Sequence, residues 1–104
     1  MATKNTKSAV APTDRTFYLA GCKWTVVLSK DITEMGTCNP MTYEIVLKEN
    51  MTQQAIEATF FHELVHAIKF TMGETNHDER EVEAFGNLLH QTFVQLWRVD
   101  TSKV

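Results

Sequence analysis

Apolar and polar positions change rhythm midway along the chain. In residues 16–20 and 23–29 aromatic and β-branched residues dominate, and Trp24, Val26 and Leu28 alternate with Thr25, Val27 and Ser29. That period of two predicts half-buried strands, and Gly21-Cys22 between them predicts a hairpin. Residues 31–40, which hold Gly36, Asn39 and Pro40, read as a turn ahead of a third strand at residues 42–48, TYEIVLK. There Tyr43, Ile45 and Leu47 share one face, and Thr42, Glu44, Val46 and Lys48 the other. Beyond this strand the spacing becomes helical. Thr52 is the expected N-cap of a helix that runs to Met72, with Gly73 as its stop. After the polar connection GETNHDER a second helix is expected over residues 78–97, with Val82, Phe85, Leu89, Phe93 and Leu96 as its inward stripe. The expected fold class is α+β, a small antiparallel or mixed sheet of about three strands followed by two long helices.

A chain of 104 residues with 43% hydrophobic content fits one compact domain with a small core. Residues 1–14 read as a flexible arm, 15–98 as the domain and 99–104 as a tail. No apolar run is long enough to cross a bilayer and the N-terminal residues have no apolar signal region, so no membrane partner is expected and the protein is placed in the cytoplasm. Cys22 and Cys38 lack metal-ligand spacing and read as free thiols. The net charge of −3 and the scattered lysines and arginines argue against nucleic acid as a partner.

One stretch of the first helix departs from a plain core pattern. FFHELVHAIKF, residues 60–70, sets His62, Glu63 and His66 among apolar neighbours. Histidines four residues apart lie one turn apart on one side of a helix and can converge on one ion. A glutamate beside them can take a proton from a metal-activated water, so H-E-x-x-H encodes two ligands and a general base. Two polar rings and a carboxylate buried without such a partner would cost several kcal/mol.

The third ligand is less clearly marked. Lys69 and Met72 stand where a metzincin would carry its glycine and last histidine, which excludes that class. His77, Asp78, Glu79, Glu81 and Glu83 remain. Glu83 is favoured, because Gly86 one turn on allows close helix approach and Asn87 can hold a ligand imidazole from behind. His77 and Glu81 are the alternatives, His77 as a loop histidine and Glu81 as a charge on the Ala84 and Leu88 side. His90 reads as structural or as a hydrogen-bonding group at the rim of the cleft.

These motifs resemble a minimal gluzincin-like zinc metallopeptidase, similar to small bacteriophage peptidases related to the ImmA/IrrE and SprT-like groups. The resemblance covers about residues 18–96 and rests on TYEIVLK, FFHELVHAIKFTMG and EREVEAFGNLLHQ. It implies Zn²⁺ held by His62, His66 and Glu83, with Asn87 behind a ligand histidine. It also implies hydrolysis of peptide bonds by metal-activated water with Glu63 as general base. If the chain is phage-encoded, the compartment is the host cytoplasm. A peptide or protein substrate is expected to pair along residues 42–48 as an edge strand. Tyr43 or His77 is the expected oxyanion stabiliser. The alternative function is a catalytically silent, zinc-stabilised protein-interaction domain, to which Glu63 as a base would be of no use.

Overall fold

The structure is a computed structural model and describes residues 15–98. The arm expected over residues 1–14 and the tail expected over 99–104 lie outside the described residues. The fold is α+β, as expected: strands β1 (Arg15–Leu19), β2 (Cys22–Ser29), β3 (Gly36–Asn39) and β4 (Glu44–Lys48) precede helices α1 (Gln53–Thr71) and α2 (Glu79–Phe93). A π-helical turn, Val94–Arg98, continues α2.

The sheet is mixed and has the order β1-β2-β4-β3. β1 and β2 form the expected antiparallel hairpin, β2 runs parallel to β4, and β3 returns antiparallel to β4. Ala20 and Gly21 join β1 to β2 with φ of 49° and 84°, the pair of positive values that lets a two-residue turn follow the strand twist. Trp24, Val26, Ile45 and Leu47 are fully buried on one face of the sheet, where Ala67 of α1 completes the core.

The structure corrects two expectations here. The segment read as a turn contains a fourth strand, β3, and this makes residues 44–48 an inner strand hydrogen-bonded on both sides. The edge beside α1 is therefore β3 and not residues 42–48. Gly36 explains how so short a strand fits, since a Cβ there would sit 2.5 Å from Thr59 Cγ2 and 3.2 Å from Glu63 Cγ on α1.

Both helices have defined ends. Thr52 Oγ1 accepts from the Ala55 N–H at 3.1 Å and caps α1 as expected. At the other end Gly73, at φ 93°, donates to Phe70 O and Glu74 donates to Lys69 O, a Schellman arrangement that satisfies the last carbonyls. Asp78 caps α2 by accepting from the Arg80 N–H at 3.0 Å. The inward stripe of α2 differs from the expected one: Val82 and Gly86 are buried, whereas Phe85 is 52% exposed and Leu96 is 55% exposed. Gly86 is the reason, because a Cβ there would meet the His62 backbone at 3.1–3.2 Å. The two helices touch along this seam, and bulkier residues are left on its flanks.

Candidate metal centre

α1 carries His62 and His66 on the side that faces the start of α2. The Glu79 carboxylate, in the first turn of α2, bridges them: Oε1 lies 3.4 Å from His62 Nε2 and Oε2 lies 3.3 Å from His66 Nε2. Ligand atoms of His62, His66 and Glu79 all fall within 4.8 Å of one another, a spacing that can hold a metal ion.

The opposite ring nitrogens have their own partners. His62 Nδ1 donates to Glu83 Oε1 at 3.1 Å, since a carboxylate oxygen only accepts. His77 Nε2 donates to the Glu74 carbonyl at 2.8 Å, so in the neutral ring His77 Nδ1 is an acceptor. His66 Nδ1 lies 2.7 Å from that atom and must be the donor. Burial lowers the pKa of His66 below 6.5 against the Glu79 charge, which raises it, and this favours the neutral ring. With Nδ1 engaged behind each ring, each Nε2 faces the Glu79 carboxylate.

Glu63 is 8% exposed and has no hydrogen-bond or ion-pair partner among the described residues. Burial pushes its pKa above the ordinary 4.5; the field of His62 opposes this, and the Glu79 and Glu34 charges add to it. A carboxylate held in this state is suited to accept and return a proton.

Two cavities flank these groups. One of about 320 Å³ is lined by Met35, Gly36, Ala58 and Thr59, and one of about 470 Å³ by Glu34, Thr37, Cys38, Phe70 and Thr75; His62 and Glu63 line both. Together they form a cleft along β3. The Lys48 N–H donates to the Met35 carbonyl at 2.9 Å, so by antiparallel alternation the N–H and C=O groups of Gly36 and Cys38 point away from β4, towards the free edge. Cys38 and Cys22 are free thiols, and burial, with a smaller contribution from Glu63, pushes Cys38 up to about 12.

The remaining sequence-derived residues fall in different places. Glu83 is drawn to His62, on Nδ1 and not on the face where the two Nε2 atoms converge. His77 contacts the back of His66 in the same way. Glu81 pairs with Lys69 at 2.8 Å, and Lys69 also holds Glu74 at 3.1 Å. Asn87 is exposed on α2 and makes no side-chain hydrogen bond among the described residues. Tyr43 packs edge-on against Trp24, with its hydroxyl beside Cys22, and lines neither cavity. His90 donates from Nε2 to the fully buried Glu57 at 3.0 Å, an interhelical bond away from the cleft. Glu79 stands among the sequence candidates only as one of several carboxylates. The signal that singles it out is its place on the stripe of Val82, Glu83 and Gly86, two turns from the glycine that touches His62.

No helix among the described residues is long and apolar enough to cross a membrane. No protein-family profile, curated protein or solved structure matches the chain.

Proposed function

We propose that the protein is a zinc-dependent peptidase whose metal ligands are His62, His66 and Glu79. The observation that carries this reading is the convergence of His62 Nε2, His66 Nε2 and the Glu79 carboxylate within 4.8 Å of one another, with Nδ1 of each ring engaged from behind. The donor set supports zinc: two imidazole nitrogens and a carboxylate oxygen are the ligand types that zinc holds at about 2.0–2.2 Å with a fourth position left open. Glu83 then orients His62 from behind, the usual task of a carboxylate on a ligand histidine.

Zinc bound there supplies Lewis acidity, which lowers the pKa of a water toward about 7 and polarises a carbonyl. Glu63 stands between the two ligand histidines in sequence and lines both cavities, so it can take a proton from a water in the cleft and pass it to the departing amine nitrogen. The outward N–H and C=O groups of Gly36 and Cys38 can pair with an extended peptide and lay its carbonyls beside Glu63. β3 thus takes the substrate role expected of residues 42–48. The free thiols fit a reducing compartment such as the cytoplasm.

A silent zinc-stabilised interaction domain has the same ligands but no use for Glu63, a largely buried carboxylate that has no hydrogen-bond partner among the described residues. Zinc titration of wild type, Glu79→Ala and Glu63→Gln, together with cleavage of a mixed peptide library, separates the readings. One ion per wild-type chain, weakened at least tenfold in Glu79→Ala and retained in Glu63→Gln, with cleavage lost in Glu63→Gln, is the expected outcome. Cleavage at the wild-type rate by Glu63→Gln would overturn the mechanism. Zinc binding without cleavage by wild type would favour the silent domain.

A further inference from the structure

We propose that His77 is a positioning residue for His66: with the Glu74 carbonyl it holds His66 in the tautomer that leaves Nε2 free for the metal. This rests on the metal-centre reading and adds a residue and a backbone group to it. The relay has a direction set at its far end. The Glu74 carbonyl can only accept, so His77 Nε2 carries a proton; in the neutral ring His77 Nδ1 is then bare, and His66 Nδ1 donates to it, the two links measuring 2.8 and 2.7 Å. A His66 proton on Nε2 would set two lone pairs against each other across 2.7 Å. An isolated neutral histidine favours the proton on Nε2, which would block this geometry. The relay therefore selects the tautomer that the ring alone disfavours.

His77 is itself held in place. Its ring packs against those of His66 and Phe70, with centroids 4.9 and 4.4 Å away. The chain around it is tied at both ends, by the positive-φ turn at Gly73 and by Lys69, which reaches Glu74 at 3.1 Å and Glu81 at 2.8 Å. One side chain thus fixes the connection that carries His77 to both helices.

Long-range proton–nitrogen correlation spectra of the metal-free protein at pH 8 report each histidine's tautomer directly. His66 is expected to carry its proton on Nδ1 and His77 on Nε2. His77→Phe keeps a ring against His66 and Phe70 but removes the acceptor. In that variant the His66 proton should move to Nε2, and zinc affinity, measured by competition with a chromophoric chelator, should fall about 10- to 100-fold. His77→Gln, whose side-chain carbonyl accepts from an N–H, should restore the tautomer and most of the affinity. A wild-type His66 protonated on Nε2, a His77→Phe variant that binds zinc as tightly as wild type, or a His77→Gln variant as weak as His77→Phe would each overturn the assignment. Wild-type protein that binds no zinc sinks the metal-centre reading instead, and the metal-free spectra tell that failure from a failure of the relay.

Discussion

Glu57 and Glu63 lie on the same helix, both are buried, and they differ in what surrounds them. Glu57 accepts from Gln53 Nε2 at 2.9 Å and from His90 Nε2 at 3.0 Å, so its carboxylate joins α1 to α2. Glu63 has no such partner among the described residues, and burial raises its pKa above 4.5. The sign of its effect on stability follows from linkage. A carboxyl whose folded pKa is raised adds stability that is fully present below 4.5 and is lost as pH rises through the folded value. Metal-free Glu63→Gln should therefore be more stable than metal-free wild type at pH 7, and the gap should close as pH falls toward 4.5. Urea unfolding of both proteins from pH 4 to 8 reads this; a gap that is constant across the range, or of opposite sign, means that Glu63 is solvated and is no poised base.

At the scale of elements the site depends on how closely two helices approach. Gly86 has no Cβ, and the atoms one would strike are the His62 N and Cα, backbone that cannot move aside. Alanine at this helical position would gain about 1 kcal/mol from propensity, but overpacking against backbone typically costs about 1–3 kcal/mol. Strain is expected to win. Gly86→Ala should lower stability and also weaken zinc binding, although it alters no ligand, because α2 carries Glu79 and Glu83. Titration with zinc and thermal melting check this, and unchanged zinc affinity would mean that α2 does not position the centre. The close approach at Gly86 is legible in the sequence, as is the pairing of His62 with His66, because both follow from the periodicity of one helix. The choice between Glu79 and Glu83 is not. It depends on the axial offset between α1 and α2, which no single helix records. β3 is hidden for a related reason: GTCN has little strand propensity, and its glycine answers to Thr59, a residue distant in sequence.

At the scale of the whole molecule, charge sets which substrates the proposed peptidase would prefer. Glu34, Glu63, Glu79 and Glu83 line the two cavities, and among the described residues no lysine or arginine does. Even with a bound dication these four carboxylates leave the cleft negative, and the chain as a whole carries −3. Low-dielectric walls concentrate such a field and raise the local concentration of cationic ligands. Of two peptides matched except for lysine or glutamate flanking the scissile bond, the lysine peptide should be cleaved with the higher kcat/KM. The advantage should shrink as ionic strength rises, when the screening length falls from about 10 Å at 0.1 M to about 3 Å at 1 M. Glu34→Gln should narrow it further, because Glu34 lines the larger cavity and belongs neither to the metal ligands nor to the partners of His62 and His66. Equal kcat/KM for the two peptides at low salt would show that the acidic lining serves the metal and the fold alone. A lysine preference that persists at 1 M salt would point to a direct hydrogen-bonded contact in a cavity and not to the long-range field.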